Sequence, residues 1–398
     1  MPPRIPAPEG HFHLPTTAKT ARWGTLPGPS AGPVLIVGDQ ETVTVDTVSH
    51  EGILEDQGRD PVRFFGAHGV AERDVLTDAR DIAASALERD PGTDGPHVVT
   101  GPIAVTGAYP GDLLKVETLS LYRRADYGIV SSRHGRGALP DSFPGPERET
   151  AGPAATRRLP SGTVSTFCEV QVDGKGRSLG VIPYGTAGRA ARFPLRPFMG
   201  IMGVTPAAEQ PLSTVPPGRH GGNLDVKVLA TGTALYLPVQ VEGAGFYTGD
   251  PHYAQGNGEV ALTALEAPLR ATFRLTVLKG AAARRAVGLI DTPFGESDTH
   301  WVAIGLHEDL DEAMREAVRA ALMFLTTRVG MDAASAYAYL SAAADLEVSQ
   351  VVDRVQGVHC LIRKSDIGEL PSEIPLQKGE FMNPAATTPA CHDTAGAP

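Results

Sequence analysis

Glycine and proline interrupt this chain too often for long helices to dominate it. Its 398 residues include 45 Gly and 34 Pro, about a fifth of the total against the ~12% of ordinary proteins. The two show no G-X-Y period, which excludes a collagen-like rod. Hydrophobic residues make up 41% of the chain, which excludes wholesale disorder. The surplus therefore belongs in turns between many short strands. The expected fold is α+β and β-rich, a β-sandwich-like core of many short strands with a C-terminal helical pair. A chain of this length buries a large core without covalent staples.

Local patterns support that reading. Pro33–Ser49 reads as two strands around a Gly-Asp turn. His97–Tyr122 carries β-branched runs broken at Gly101-Pro102, Gly107 and Pro110-Gly111-Asp112, which predicts a meander with tight turns. Val164–Val172 alternates as a strand, and Leu235–Tyr247 and Ala271–Leu278 are the clearest strands of the middle region. Glu72–Leu87 has apolar residues at spacings of three and four and predicts a helix. So does Asp309–Val329, ended by Gly330, with Asp332 as the N-cap of a second helix over Ala333–Ala344. The stretch to about Gly32, the Pro/Gly-rich 135–162 and the tail from Pro384 read as irregular.

Charge and cysteine content narrow the function. With 35 Lys+Arg against 46 Asp+Glu, the formal net charge is −11, which argues against nucleic acid and anionic membranes as partners. Three cysteines, Cys168, Cys360 and Cys391, fit neither a disulfide framework nor a cysteine-based zinc site. They indicate a reducing compartment. The N-terminus has no apolar core of a leader. The longest apolar run, Ala320–Leu325, is far below the ~18 residues of a membrane span. A cytoplasmic location is the expectation.

The densest polar cluster runs from His220 to Glu259. One end supplies His220, Asn223 and Asp225; the other supplies Asp250, His252, Gln255, Asn257 and Glu259. Leu235–Tyr247 lies between them, and a hairpin there would bring the ends together. Imidazole and carboxylate are ligands that zinc accepts. His220, Asp225, Asp250 and His252 are the candidate metal ligands, and a bound divalent metal, zinc by its ligand types, would lower the pKa of a water. Glu259 is the candidate catalytic proton shuttle. Asn223 and Gln255 are the candidate substrate-binding residues, since each can donate to and accept from a neutral amide. The same residues also suit turns and caps. His13, His50 with Glu51, and His97 are further candidates whose positions suit a cleft or the surface alike. The chain has no G-x-S-x-G elbow, Walker A loop, H-E-x-x-H or dinucleotide G-x-G-x-x-G.

Four blocks, in order, resemble the acetamidase/formamidase family: Thr100–Glu117, Pro197–Ala207, His220–Glu266 and Thr299–Asp353. The resemblance implies a β-sandwich-rich α+β fold and assembly into homo-oligomers. It also implies hydrolysis of a short-chain amide such as formamide or acetamide to carboxylate and ammonia. By length alone the chain suggests two or three domains. The resemblance implies instead one catalytic unit over 33–366, preceded by an irregular segment (1–32) and followed by a tail (367–398). Asn257 stands where the family often has an acid, and Tyr253 where a small residue is common. Those departures raise another amide-like substrate (a ureide, carbamate or larger carboxamide) as an alternative; a non-catalytic amide-binding protein on the same scaffold is a further one.

Overall fold

The computed structural model describes residues 5–145, 156–159, 161–185 and 188–371. Within them the expected short strands form a nine-stranded and a twelve-stranded sheet. In the first, Leu113–Arg123 pairs antiparallel with Leu269–Leu278 on one side and with Ala234–Pro238 on the other. The C-terminal strands His300–His307, Gln356–Arg363 and Asp345–Gln350 extend this sheet. In the second, the wholly buried strand Phe198–Val204 lies between Phe246–Ala254 and Gly221–Asn223.

The two sheets pack face to face. Val45, Leu114, Val116, Leu235 and Phe273 of one meet Ile103, Val105, Val204 and Phe246 of the other in a single apolar cluster. The Phe246 and Phe273 rings cross edge to face with centroids 5.3 Å apart, a geometry that adds to the area they bury. The sandwich-like α+β architecture expected from the turn-rich composition is thus present.

The predicted C-terminal helical pair forms a third layer on the nine-stranded sheet. Its first helix, Leu310–Phe324, starts where the Asp309 side chain accepts from Glu312 N, and continues as a π turn to Val329 before Gly330 at φ 86°. The second, Ala333–Ala343, is capped by Asp332, which accepts from Ser335 N. Phe324, Leu325, Ala336 and Leu340 bury against Trp301, Ala303, Cys360 and Ile362. The first helix lies so close that a Cβ on Gly305 would stand 2.1 Å from Ala313 O and 2.2 Å from Ala317 N.

Three local expectations change. Phe12–Leu14 and Ala21–Trp23 are strands, because they pair with Val43–Val45 and Val98–Thr100; pairing across distance is invisible to a local pattern. Glu72–Leu87 is a 3-10 turn at Glu72–Asp74 and an α-helix at Thr77–Ala84. Val75 and Leu76 are extended between them, and Val75 is buried in a cluster with Phe64, Phe65 and Tyr127. Leu235–Tyr247 is not a hairpin. It crosses from Ala234–Pro238 in one sheet to Phe246–Ala254 in the other, turning where residues 243–245 all take positive φ.

Of the irregular stretch 135–162, residues 135–145 carry no helix or strand and Thr156–Arg158 is a short strand. The readings on Cys391 and the tail from Pro384 lie outside the described residues. No helix among the described residues is long and apolar enough to cross a membrane.

Candidate active site

The strand Phe198–Val204 organises the site. Met199 on it and Tyr253 on the neighbouring strand point into the sandwich core. Alternation along a strand then turns Gly200 and His252 to the opposite face. A Cβ at Gly200 would stand 2.5 Å from Asp225 Oδ1, 2.7 Å from Asp250 Oδ2 and 2.8 Å from His252 Cε1. The missing side chain is the room in which these groups meet.

His252 is the hub. Its Nε2 lies 3.0 Å from Asp250 Oδ2, two residues back on the same strand. The same nitrogen lies 3.1 Å from Oε1 of Glu266, its cross-strand neighbour. Its Nδ1 lies 3.1 Å from Gln255 Oε1 and 3.7 Å from Asp225 Oδ1. His97, one residue before the strand Val98–Val105, brings Nε2 to 3.8 Å from Asp250 Oδ1. His50 follows the strand Thr42–Asp46, and its Nδ1 lies 3.3 Å from the same oxygen without hydrogen-bond alignment. Behind it, Glu51 Oε1 lies 3.4 Å from His50 Nε2 and 3.1 Å from Arg133 Nη2. A carboxylate behind an imidazole fixes which nitrogen faces the site.

Charge balance is the notable property. Glu51, Asp225, Asp250, Glu259, Glu266 and Asp353 are all buried, each at most 7% exposed. Facing these six carboxyls are three imidazoles and the Arg133 guanidinium. Buried carboxylates need a partner or a proton. Burial pushes Asp225 well above the usual range, and Asp353 beside it adds to the effect. Glu259 rises through burial and Asp225, and Asp353 through burial and Glu259. Asp250 goes the other way: burial opposes its charge, but His97 and His252 hold it well below the usual range. Burial drives His97 down to about 3. His50 rises to about 10 in spite of burial, through Asp250 and Glu51.

The residues present fit a divalent cation. Asp225 Oδ1, Asp250 Oδ1, Glu266 Oε2, Asp353 Oδ2 and His50 Nδ1 are buried without a hydrogen-bond partner among the described residues. Ligand atoms converge within 4.8 Å in three sets: His50, His97 and Asp250; Asp225, His252 and Glu259; Asp250, His252 and Glu266. Imidazole nitrogen mixed with carboxylate oxygen is a donor set for zinc and its neighbours.

Of the residues singled out in the sequence, the structure brings Asp225, Asp250, His252 and Glu259 together. His220 is buried but stands outside the three sets; burial lowers its pKa to about 4. Asn223 pairs in register with Ile201 and keeps a buried Oδ1 without a partner. Gln255 turns its amide to the site itself, donating to Asp225 O at 2.9 Å and Ser349 O at 3.2 Å. His13 is elsewhere, 3.0 Å from Asp46. Asn257 is exposed and donates to Glu347. Tyr253 does not shape a pocket, because its hydroxyl is held within the core, its one proton shared between Ala125 O at 2.9 Å and Pro268 O at 3.0 Å. Glu266, Asp353, Arg133 and Gly200 carried no local signal. Each arrives from a strand or loop distant in sequence, although Glu266 and Asp353 end two of the blocks that carried the resemblance.

Above the cluster a cavity of about 300 Å³ reaches His50, His97 and Asp353. Residues 205–367 match the Acetamidase/Formamidase family. The resemblance read from the sequence therefore holds over a span that carries Asn223 to Asp353. The formamidase of Methylophilus methylotrophus is 28% identical over 218 residues, 48% of this chain and 51% of that protein. The acetamidase of Mycolicibacterium smegmatis is 28% identical over 225 residues, 48% of this chain and 53% of that protein. The chain thus spans about half the length of these relatives in the match. A crystal structure of an acetamidase from Bacillus halodurans superimposes with a TM-score of 0.65 at 24% identity, covering 90% of this chain and all of that one. That likeness concerns the fold.

Proposed function

We propose that this chain is an amidase, hydrolysing the linear C–N bond of a small carboxamide to a carboxylate and ammonia. The observation that carries the reading is the buried cluster of six carboxyls and three imidazoles, short of positive charge and open to a cavity. Its setting within a match to relatives named formamidase and acetamidase supports the amide as substrate class.

His50, His97 and Asp250 are the set nearest the cavity that would hold a divalent cation, zinc by its ligand types, with His252 and Asp225 behind. When bound, such a cation supplies Lewis acidity and lowers the pKa of a bound water towards 7. The chain's own residues do the rest. Glu51 and Arg133 fix the His50 ring. Gln255 holds His252 and the Asp225 backbone in place. Glu259, whose carboxyl pKa burial and Asp225 push up, is the group that would carry a proton to the departing nitrogen, which leaves poorly as an anion. Asn223 Oδ1 is free to accept from an amide N–H.

The test is ammonia release by the purified chain from formamide, acetamide, larger carboxamides and ureides, alongside elemental analysis for divalent metal. We expect bound metal and turnover of at least one amide. In Glu259→Gln, turnover falls by about 10²–10⁴-fold while the metal is retained. Metal-loaded protein that binds amides and releases no ammonia would make it a binding protein instead.

A further inference from the structure

The cavity above the cluster is lined by four arginines, Arg89, Arg133, Arg136 and Arg354. Two of them are engaged. Arg89 pairs with Glu55 and donates from Nε to Gly95 O at 2.6 Å. Arg133 bridges Asp56, at 2.7 Å from its Nε, and Glu51, at 3.1 Å from its Nη2. Arg136 and Arg354 are different. Among the described residues neither guanidinium has a carboxylate or carbonyl partner. Arg136 is exposed at the cavity mouth; partial burial and the neighbouring Arg133, Arg354 and Arg89 lower its pKa, and Asp56 opposes them. Three like charges converge on Arg136 at the mouth of a confined space.

Arg354 is placed there at a cost. Its φ is 65°, a left-handed backbone that a long side chain adopts only under constraint. Gln350 supplies the constraint. Its Oε1 accepts from Val352 N at 2.9 Å and Asp353 N at 3.2 Å, while its Nε2 donates to Val355 O at 2.7 Å. The same loop buries Asp353 in the cluster and leaves Arg354 exposed on the cavity wall. Asp94 also lines the cavity and accepts from Asp90 N at 2.8 Å, but among the described residues it forms no ion pair with Arg136 or Arg354. The wall facing the substrate therefore has unpartnered positive charge, while the floor has the hydrolytic cluster.

We propose that the cavity selects an amide carrying a carboxylate, such as the half-amide of a short dicarboxylic acid, with Arg136 and Arg354 holding the carboxylate and the amide end reaching His50 and His97. This deepens the amidase reading and rests on it for the chemistry at the amide end. Planar guanidinium forks suit a carboxylate far better than a neutral group. A formamide-sized substrate would leave both arginines without a task.

The experiment compares succinamate with the neutral near-isostere 4-oxopentanamide on the purified full chain, as wild type and as the double variant R136Q/R354Q. Ammonia release gives kcat and KM, titration calorimetry gives succinamate binding, and circular dichroism checks the fold. We expect a KM for succinamate at least about tenfold below that for the neutral amide. The double variant should raise the ratio of the two KM values about tenfold, with the change in KM rather than kcat. Equal KM values in the wild type, or an unchanged ratio in the variant, would overturn the anion site and leave the amidase reading standing. If neither of these two amides releases ammonia, the amidase reading is decided on the wider amide panel. Calorimetry then decides the anion site: weaker succinamate binding in R136Q/R354Q supports it, and unchanged binding overturns it.

Discussion

At the scale of single residues, the site is built by what one position lacks and by strain at several others. Gly200 leaves the space that Asp225, Asp250 and His252 occupy. Gly200→Ala should fold, because the strand keeps its ladder, but lose bound metal and about 10–100-fold in ammonia release. Metal content and turnover equal to wild type would contradict that role. Asp225, Asp250 and Glu259 take φ of 51°, 51° and 46°, where non-glycine residues are uncommon. Three strained carboxyl residues in one cluster indicate that tertiary packing holds them against their local preference. Gln255 illustrates the limits of residue type as evidence. Its amide suits a substrate, yet the fold assigns it to His252, Asp225 and Ser349.

At the scale of elements, close packing of helix on sheet and the burial of polar strand residues set the tolerances. Helix Leu310–Phe324 rests on Gly305 so closely that Gly305→Ala must push it away. Overpacking of this kind costs about 1–3 kcal/mol, so the thermal midpoint should fall by roughly 1–4 °C; an unchanged midpoint would refute the contact. His359, on strand Gln356–Arg363, is fully buried, and its Nδ1 lies 2.8 Å from Ser349 Oγ. Burial lowers its pKa from 6.5 to about 4. The folded state therefore binds fewer protons than the unfolded one between those values. The stability contribution is intact above pH 6.5 and is lost progressively as pH falls towards 4. From pH 7 to pH 5 this amounts to about 2 kcal/mol. Denaturant midpoints at the two pH values should converge in His359→Asn by that amount, whatever the offset at pH 7. An identical pH dependence in variant and wild type would assign the acid sensitivity to other groups.

At the scale of the whole molecule, the buried carboxyl excess predicts a linkage between folding and cation binding. Six carboxyls enter a low-dielectric interior with too few positive partners, so anything that binds the folded cluster and not the unfolded chain stabilises the fold. Zinc at a hundredfold above its dissociation constant should add about 3 kcal/mol. Chelation should lower the thermal midpoint, and readdition of metal should restore it. A midpoint indifferent to both would mean that the carboxyls are satisfied by protons alone.

Much of this was legible in the chain. The turn-rich composition dictated short strands, the 3.6-residue period marked Leu310–Phe324, and Asp309 and Asp332 marked the helix starts, because these signals depend on neighbours in sequence. Asp225, Asp250, His252 and Glu259 stood out for the same reason, as polar residues dense in one segment. The partners that complete the cluster were set by the fold. Glu266 arrives by strand register, His50 and His97 from the ends of separate strands, and Asp353 from a loop pinned by Gln350. The emptiness at Gly200 has meaning only once three strands lie side by side. Sequence by itself determined which segments could be strands, helices and turns, since backbone preference and side-chain periodicity are local. Tertiary structure alone decided which charges would be buried together, since burial and electrostatic coupling depend on distance in space and not along the chain.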